Sequence, residues 1–584
     1  MYCSLSPLVR TCLLLLPLLG QAFDLHAVEL DEAELRSELS KLSSSESDVR
    51  KAAIETVAAS RNSDATRVLE AYRLGTLCLW NDQLVLTKAS NDHPGSLTVR
   101  DALTEEPITA DGEPVTVSKG DFKSLAASRK ERRFLVNAIR VLELYSPRQA
   151  TRLAATKKLG DLRDPAYIDS LQAVIETENN PKVLHRAKES VALIRLSNQA
   201  NSMDVRRQAA VELGTLRSAN AVPLLEKILQ EVETSSDSEP KLDAATRAAC
   251  VASLEQIEKY QGRVRMLSYI FSGISLGSVL ILMALGLSIV FGQMGVINMA
   301  HGELMMIGAY ATYVTQLKFG HTPEAPNNWF FVAALPISFL VAFCAGLLIE
   351  YLVVRHLYKR PLESLLATWG VGLVLIQFVR AGLPWSTSKL EWIGKLPGWL
   401  RWSGFGDNIG VNSPTWLVGG FEVIQDFHVS YNRLFIITLT IACVVFVYWL
   451  MNCTKRGLLV RATVQNREIA AALGVNTRYE DGFTFAFGAG LAGIAGCALT
   501  LIGGVTPDMG QNYIVDSFLV VVTGGVGELA GAVWAGLSLG VLNKILEPIF
   551  STIWAKVLIL ALVVAFIQYR PAGLFPPKGR LADV

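Results

Sequence analysis

The sequence predicts an all-α protein in which a polytopic helical membrane domain is preceded by a periplasmic α-helical repeat domain with a small β insertion. Three observations lead to this prediction. Charged residues make up 71 of the first 263 positions but only 36 of the following 321. Apolar runs long enough to cross a bilayer, about 20 residues each, recur only in the second part. The first part instead repeats a helical pattern, which is typical of stacked helix pairs.

The chain begins with a short apolar segment. Arg10 precedes TCLLLLPLLG, and the small and polar residues QAFDLHA follow. This order is typical of a secretory signal peptide and is too short for a membrane span. We therefore predict a signal peptide over residues 1–27 and an exported domain over residues 28–263. An uncleaved anchor is the alternative.

The exported domain contains an internal repeat. TRLAATKKLGDLRDPAYIDSLQAVI, from position 151, aligns without gaps with VRRQAAVELGTLRSANAVPLLEKIL, from position 205, and pairs Gly160 with Gly214. A weaker copy, VRKAAIETVAASRNSDATRVLEAY, begins at position 49. Each copy is an amphipathic helix pair that must stack on a neighbour to bury its apolar face. These copies resemble HEAT-like repeats.

Between about 75 and 121 the pattern changes to alternating apolar and polar residues around Asp-Gly and Pro-Gly turns, which predicts the β insertion. The exported domain shows no catalytic cluster, so we interpret it as a scaffold. Its two cysteines, Cys78 and Cys250, could pair in an oxidising compartment, although their spacing does not decide this. Without a CxxC pattern no zinc site is predicted, and without a basic excess no nucleic-acid binding is predicted.

The second part, residues 264–584, carries the predicted membrane domain. Its apolar segments run over 266–291, 301–317, 329–354, 364–381, 433–452, 482–504, 514–526, 530–547 and 550–570. Basic residues at 355–360, 454–467 and 569–580 predict the cytoplasmic side. With an exported amino terminus, nine crossings would place all three stretches there, whereas a 514–526 segment that dips and returns would leave the last stretch outside. Because 514–526 is short and TGGVGELAG follows, we expect a broken or re-entrant element with Gly524, Gly525, Gly527 and Glu528 as gating candidates.

GVINMAHGELMMIGAY, residues 295–310, places polar side chains in an apolar region. Asn298 and His301 would share one face of a helix, whereas Glu303 would point elsewhere, toward an interface. Charges in hydrocarbon are costly and normally face a bundle interior or a water-filled path. The three residues are therefore candidates for a substrate path. The alternative is that Asn298 and His301 cap a broken helix and hold it to its neighbours.

Two short motifs in this region resemble metal-binding or catalytic patterns. HGELM lacks the second histidine of HExxH, so metal binding is not predicted. GISLG, residues 273–277, matches GxSxG and suggests Ser275 as a nucleophile with His301 as its base. A nucleophile elbow requires a strand–turn–helix context, and glycine and serine at this spacing are usually close-packing residues between helices.

Several motifs, in matching order, resemble the permease subunits of branched-chain amino acid ABC importers of the LivH-like type. They are GLSIVFGQMGVINMAHGELMMIGAY (286–310), RATVQNREIAAALGVN (461–476), FTFAFGAGLAGIAG (483–496), VVTGGVGELAGAVWAGLSLGVL (521–542) and RPAGLFP (570–576). The resemblance implies a second homologous permease subunit, two cytoplasmic ATPases, a periplasmic solute-binding protein and a bacterial inner-membrane location. No catalytic residue, cofactor or metal is implied.

The segment 461–476, called the coupling segment below, contains NREIAAALGVN (466–476), which is typical of a short amphipathic cytoplasmic helix that ends at Gly474. The resemblance implies that this segment meets the ATPase; an ordinary loop helix is the alternative. Its candidate contact residues are Arg461, Gln465, Asn466, Glu468, Leu473, Gly474 and Asn476. The chain has no G-x-x-x-x-G-K-[ST] sequence, so ATP binding through a P-loop is not predicted.

The exported extension departs from ordinary members and resembles the urea branch of the family. Urea is therefore the first predicted solute, and a branched-chain amino acid is the alternative. The expected mechanism is alternating access driven by partner ATPases. A passive solute channel and an intramembrane serine hydrolase are the remaining hypotheses.

Overall fold

The computed structural model describes residues 30–89, 97–110, 113–117, 122–234, 243–322, 325–358, 360–382, 404–406 and 408–575. The predicted signal peptide, residues 1–27, lies outside the described residues. The chain divides into two compact units, Met1–Gln261 and Gly262–Val584.

The first unit is built mainly from helices. In chain order they are α1 Glu32–Ser40, α2 Ser47–Ala59, α3 Ala65–Leu74, α4 Arg129–Glu143, α5 Gln149–Leu162, α6 Ile168–Thr177, α7 Pro181–Ser197, α8 Met203–Thr215, α9 Val222–Thr234 and the first part of α10 Ala244–Met294. Apolar clusters between successive helices form its core.

Strands occupy the stretch between α3 and α4. They are β1 Leu77–Trp80, β2 Gln83–Ala89, β3 Leu97–Asp101, β4 Thr109–Ala110, β5 Glu113–Pro114, β6 Thr116–Val117 and β7 Lys123–Leu125. Five of them form an antiparallel sheet in the order β6-β3-β2-β1-β7, and β4 pairs with β5. The last strand lies beyond residue 121, where the β insertion was predicted to end.

The structure places the aligned glycines of the repeat in equivalent contacts. A Cβ on Gly160 of α5 would lie 2.6 Å from the Cβ of Ser190 on α7, and a Cβ on Gly214 of α8 would lie 2.9 Å from the Cβ of Ser253 on α10. Because each glycine lacks a side chain, a helix two elements later can approach closely: α7 approaches α5, and α10 approaches α8.

The same periodicity appears in the turns. Arg163 follows α5 with φ 55°, and Arg217, at the aligned position after α8, also has φ 55°. Arg61, which the weaker copy aligns with them, has φ 57°. A left-handed non-glycine residue is uncommon, so its recurrence at one repeat position reflects a shared local geometry. Cys78 and Cys250 are both buried and unbonded, in separate apolar clusters.

The second unit is a helical bundle. It contains the remainder of α10, then α11 His301–Lys318, α12 Trp329–Leu352, α13 Pro361–Ala381, α14 Tyr431–Cys453, α15 Lys455–Gln465, α16 Arg467–Ala472, α17 Thr477–Leu499, α18 Met509–Gly524 and α19 Leu529–Tyr569. Within the described part of the chain, six helices are long and apolar enough to cross a membrane: α10, α12 with the turn that follows it, α13, α14, α17 and α19.

The predicted apolar segments map onto these helices with two qualifications. α11 and α18 are not among the six, so nine crossings stay a prediction. Segments 530–547 and 550–570 are joined in α19, which contains Pro548 and a non-helical residue, Ser551, with φ 65°. Proline interrupts the helical hydrogen bonds there. The sequence did not predict the hairpin of β8 Gly420–Ile424 and β9 Phe427–Ser430.

Glycines bring the helices of the bundle into backbone contact. A Cβ on Gly308 of α11 would lie 2.7 Å from the carbonyl carbon of Gly493 on α17, and a Cβ on Gly277 of α10 would lie 2.7 Å from the carbonyl oxygen of Gly536 on α19. Small residues at such crossings are typical of membrane bundles. The GISLG motif is therefore part of a helix crossing, which favours the packing interpretation.

Candidate functional site

The first functional region is the non-helical segment between α10 and α11. α10 ends at Met294, Gly295 has φ +65°, and α11 begins at His301. The prediction that Asn298 and His301 share a helical face is wrong, because Asn298 lies before the helix. A left-handed glycine ends α10, and its side-chain-free backbone allows the chain to change direction at that point.

This segment, residues 295–300, lies alongside α18. A Cβ on Gly292 would lie 2.9 Å from the backbone nitrogen of Gly527, just after α18. A Cβ on Gly302 would lie 2.7 Å from the carbonyl carbon of Gly510, the second residue of α18. The chain between Gly292 and Gly302 therefore follows α18 for most of the length of that helix.

Side chains satisfy part of the non-helical backbone. The Met299 N–H donates to Oγ1 of Thr368 on α13 at 3.1 Å, and the Ala300 N–H donates to Oδ1 of Asn298 at 3.1 Å. Asn298 is 1% exposed, and its Nδ2 has no hydrogen-bond partner among the described residues. The segment is thus held by α13 while retaining one unused buried donor.

His301 packs between helices. Its side chain is fully buried, and Nε2 donates to the carbonyl oxygen of Met283 on α10 at 3.1 Å. A Cβ on Gly286 would lie 3.0 Å from the imidazole ring. These contacts match the alternative that His301 holds the start of α11 to its neighbours.

Glu303 faces a different helix. It is 4% exposed, and a Cβ on Gly372 of α13 would lie 3.1 Å from its carboxyl carbon. Its Oε2 has no hydrogen-bond partner in the described residues. Glu303 therefore points away from His301, toward the contact between α11 and α13, and an interface of Glu303 with a partner subunit stays a prediction. His301 contacts α10 whereas Glu303 contacts α13, so the two side chains do not meet at one point.

The arrangement does not assemble a serine hydrolase. Ser275 is fully buried on α10, eight residues before Met283, whose carbonyl binds the His301 ring. Eight helical residues correspond to about 12 Å along the helix axis. This separation is too large for the nucleophile–base hydrogen bond that the hydrolase hypothesis requires. Among the described residues there is also no cluster of three or more His, Cys, Asp or Glu that could hold a metal ion.

The second break lies between α18 and α19. Gly525 and Gly527 have φ +104° and +81°, and Glu528 precedes α19 as its N-cap without a side-chain hydrogen bond in that role. A Cβ on Gly524 would lie 2.5 Å from the carbonyl carbon of Gly531. This break contacts the end of α10 through the Gly292–Gly527 approach described above, so the two interruptions are neighbours.

A C-terminal segment closes this second break. The Leu574 N–H donates to the carbonyl of Thr523 at 2.8 Å, and the Phe575 N–H donates to the carbonyl of Gly524 at 3.1 Å. A Cβ on Gly525 would lie 3.1 Å from the carbonyl carbon of Phe575. Carbonyls at the end of α18 that lack helical partners are satisfied in this way.

The coupling segment contains the end of α15, α16 and the turn before α17. Asn466 caps α16 by accepting the Ile469 N–H at 3.0 Å, Gly474 ends it with φ +89°, and Asn476 accepts the Tyr479 N–H at 3.4 Å. Ile469 is 58% exposed and Leu473 is 80% exposed. The remaining candidates Arg461, Gln465 and Glu468 are exposed as well. The segment therefore presents two apolar side chains within a polar rim.

Buried carboxylates of α12 and α17 attach the coupling segment, and the start of α15 before it, to the bundle. Arg467 of α16 forms an ion pair with Asp481 of α17 and stacks on the Tyr358 ring at 5.1 Å. The Tyr358 hydroxyl donates to Glu350 of α12 at 2.6 Å, and Glu350 is fully buried. Arg456 of α15 pairs with Glu480 of α17 in the same way, at 3.0 Å.

Sequence reasoning missed these anchoring residues. Glu350 lies inside the predicted apolar segment 329–354, and a carboxylate in such a segment was a usable signal for a partnered functional group. Arg467 belongs to the predicted helix but was not distinguished from its charged neighbours. Thr368, which supports the non-helical segment, carries no sequence signal because hydroxyl groups are common in membrane helices.

Comparison with known proteins gives consistent matches. The profile of a family described as "Branched-chain amino acid transport system / permease component" matches residues 269–567. The chain is 28% identical to the high-affinity branched-chain amino acid transport system permease protein LivH of Salmonella typhimurium, over 53% of this chain and 94% of that protein. It is 27% identical to BraD of Pseudomonas aeruginosa, over 53% and 95%.

A further relative is a LivM permease protein of Escherichia coli, 25% identical over 52% of this chain and 69% of that protein. No solved structure matches the chain at a comparable level of significance. The family match lies within the second unit and leaves residues 1–268 and 568–584 outside it.

Proposed function

Because this chain belongs to the family of branched-chain amino acid transport permease components, we propose that it is the permease subunit of an ABC importer in the inner membrane. It works with a second homologous permease, two cytoplasmic ATPases and a periplasmic solute-binding protein. Escherichia coli has both a LivH and a LivM permease among the relatives, which supports a pair of permeases.

One observation carries the proposal: the coupling segment exposes apolar side chains, while its helix is fixed to the bundle by the ion pair of exposed Arg467 with the buried Asp481 carboxylate. Ile469 and Leu473 provide the apolar contacts that a groove on a partner protein recognises. The Arg467–Asp481 pair transmits a displacement of α16 to α17 without stretching a flexible loop. An ordinary exposed loop helix would need no such anchoring.

Contacts continue from α17 toward the non-helical segment. A Cβ on Gly496 of α17 would lie 2.9 Å from the backbone nitrogen of Ala309 on α11. α11 begins at His301, directly after residues 295–300. Movement of α16 therefore reaches Asn298 and Glu303 through two packed helices. We propose that ATP-driven closure of the ATPases displaces α16, α17 and α11 together. This displacement alternates the side of the membrane to which the solute path opens.

The experiment uses the complete importer with Leu473→Asp in this chain. A charge at the centre of the apolar contact should lower solute uptake and solute-stimulated ATPase activity at least tenfold, roughly the effect of losing an interface hot spot. Leu74→Asp is the matched control, since Leu74 is 66% exposed on the first unit. Normal uptake with Leu473→Asp, at normal membrane levels, would refute the docking role.

The first proposed solute is urea, supported by the resemblance of the repeat-bearing extension to the urea branch. The second candidate is a branched-chain amino acid, supported by what the LivH and BraD relatives are named for. Uptake of labelled urea and labelled leucine by a strain lacking this chain, with and without complementation, distinguishes the two. Restoration of leucine uptake alone would exclude urea.

The first unit is proposed to be a HEAT-like repeat domain in the periplasm, supported by the recurrence of the Gly160–Ser190 contact at Gly214–Ser253. A single cysteine introduced at exposed Glu34 should then react with a membrane-impermeant maleimide in intact spheroplasts. Labelling only after lysis would place the domain in the cytoplasm.

A passive channel is the main competing transport mechanism. In liposomes without ATPase partners the purified chain should conduct no solute, since the proposed mechanism requires the ATPases to move the coupling segment. Solute flux under those conditions would establish the channel instead.

A further inference from the structure

The second unit contains a cavity at one end of its bundle. It has a volume of ≈ 280 Å³ and is lined by α10, the start of α14, the end of α17 with the loop that follows, and the first turns of α18, together with Lys544 of α19. Ligand pockets begin at about 300 Å³, so this cavity suits a solute of few heavy atoms.

The helices fix the position of the cavity relative to the coupling segment. Arg433 is near the first residue of α14, and the coupling segment follows the last residue of that helix. Leu499 ends α17, whereas the coupling segment precedes its start. Each helix has 23 residues and extends about 35 Å. The cavity therefore lies at the opposite end of both helices from the coupling segment.

The cavity holds one cation without a carboxylate partner among the described residues. Arg433 is half-buried. The only hydrogen bond that it makes to a described residue runs from its Nη1 to the Ser272 carbonyl at 3.5 Å. A guanidinium carries several N–H donors in a planar array that matches oxygen acceptors. The donors that Ser272 does not use are available to a molecule in the cavity.

The second cation in the wall is already neutralised. Lys544 forms an ion pair with Glu547, which also accepts a hydrogen bond from Thr552 at 3.1 Å. Arg433 thus supplies the uncompensated positive charge of the cavity wall. Charged groups in membrane bundles are costly and commonly mark a substrate path.

Helix α18 links the cavity to the region of the first break. Met509 lines the cavity, and the next residue, Gly510, makes the close approach to Gly302 at the start of α11. The first turn of α18 therefore contributes both to the cavity wall and to the contact with the start of α11.

We propose that this cavity receives the solute from the binding protein and that Arg433 binds the oxygen acceptor of that solute. The inference rests on the proposed importer function. The shared ligand chemistry is a planar oxygen acceptor, which urea provides as a carbonyl and an amino acid as a carboxylate. Arg433 is the residue that holds this group before the path opens.

The test uses the complete importer in liposomes, with saturating solute-loaded binding protein, and measures maximal uptake and basal ATPase activity. Arg433→Leu removes every donor and should lower uptake about tenfold, the effect of losing one charge-assisted hydrogen bond. Basal ATPase activity should be unchanged. Arg360→Gln is the matched control, because Arg360 is exposed, pairs with Glu363 and does not line the cavity.

Two further variants of Arg433 distinguish a solute that offers a carbonyl oxygen from one that offers a carboxylate. If the solute offers a carbonyl, both Arg433→Lys and Arg433→Gln should keep uptake within about threefold of wild type, because both still donate a hydrogen bond. If it offers a carboxylate, only Arg433→Lys should do so, because a charge is required. Either pattern supports the proposal.

A cavity-filling variant tests the site without altering charge. Gly503 lines the cavity, and a Cβ there would meet nothing nearer than the Leu499 carbonyl at 3.9 Å. Gly503→Leu should therefore fold and lower uptake. Full uptake by both Arg433→Leu and Gly503→Leu would overturn the inference, as would a loss of uptake by Arg433→Leu that is matched by loss of basal ATPase activity and membrane yield.

The proposed function fails in a different way. In that case the wild-type complex would show no ATP-dependent uptake of urea or leucine. If only the cavity proposal is wrong, the wild-type complex still takes up solute and Leu473→Asp still lowers that uptake.

Discussion

The two units of this chain use glycine for different kinds of contact. In the first unit, Gly160 and Gly214 admit a serine side chain from a neighbouring helix. In the second, Gly308, Gly302 and Gly292 admit the backbone of another glycine. Water drives apolar side chains together in the first case, whereas in a bilayer helices gain little from that effect and rely on close backbone approach. Tolerance of substitution should therefore differ between the units.

The largest expected effect comes from Gly308→Leu in the second unit. Its Cβ would lie 2.7 Å from the Gly493 carbonyl carbon, and a backbone cannot rotate away. We expect at least about 3 kcal/mol of destabilisation, the upper range for overpacking, and loss of most monodisperse protein on gel filtration in detergent. Gly370→Leu is the control, since a Cβ at Gly370 meets nothing within 4 Å. Equal yields of both variants would contradict the backbone-contact explanation.

A smaller effect is expected for Gly160→Ala in the first unit. The added methyl group would lie 2.6 Å from the Ser190 Cβ, and α7 must shift to accommodate it. We expect a loss of about 1–2 kcal/mol, measured by pulse proteolysis of the full chain with fragments assigned to the first unit.

The double variant Gly160→Ala with Ser190→Gly sharpens this comparison. Removal of the Ser190 Cβ should recover part of the loss, although Ser190→Gly itself carries the helix cost of glycine, about 1 kcal/mol. If the destabilisation of the double variant equals the sum for the two single variants, the contact between residues 160 and 190 is not the cause of the loss. No comparable rescue is available for Gly308, because its partner is already glycine.

Thr368→Val tests how the second unit supports non-helical backbone. The variant keeps the side-chain shape and removes the Oγ1 that accepts the Met299 N–H. A buried N–H without an acceptor costs about 1–3 kcal/mol, so uptake should fall severalfold and the melting temperature in detergent should decrease. Thr438→Val is the control, because the exposed Thr438 hydroxyl bonds only its own helix at Leu434. Identical melting curves for Thr368→Val and wild type would contradict the support role.

The smallest effect concerns an ion pair in the first unit. The Arg152 guanidinium lowers the pKa of Glu178 below its ordinary value, and the two groups are 2.7 Å apart. A lowered folded-state pKa gives stability that is present above the unfolded value of about 4.3 and is lost as pH falls through the folded value. Glu178→Gln should therefore cost about 1 kcal/mol at pH 7. The cost should disappear in strong acid.

A pH series of unfolding transitions, monitored on the first unit of the full chain, measures this difference between Glu178→Gln and wild type. Glu176→Gln is the control, since Glu176 is exposed and lies two residues before Glu178. A difference that grows toward low pH would have the wrong sign for this pair.

Most helices of both units were predictable from the sequence, because apolar runs and the spacing of the repeat depend on residues that are close together in the chain. The alignment of Gly160 with Gly214 correctly identified equivalent positions before any contact was known. The hairpin before α14 was missed although FEVIQDFHVS alternates around a two-residue turn, because apolar segments dominated the interpretation of that region.

The sites were less predictable, for a physical reason. The contact that packs the start of α11 beside the first break joins Gly302 to Gly510, more than 200 residues away in sequence. The same holds for Arg433, whose importance comes from the absence of a nearby carboxylate among the described residues rather than from its own position. Sequence patterns identify costly polar groups in apolar surroundings, but only the packed structure shows which have partners.

The hydrogen bonds that Leu574 and Phe575 make to Thr523 and Gly524 have a consequence for biosynthesis. The ribosome synthesises these donors about fifty residues after the acceptors, so the bend between α18 and α19 reaches its final geometry only after the whole of α19 has been made. A transcript truncated before codon 574 would yield a polypeptide able to insert its earlier helices but left with two bare carbonyls at that bend, a product that membrane quality-control proteases should recognise and remove.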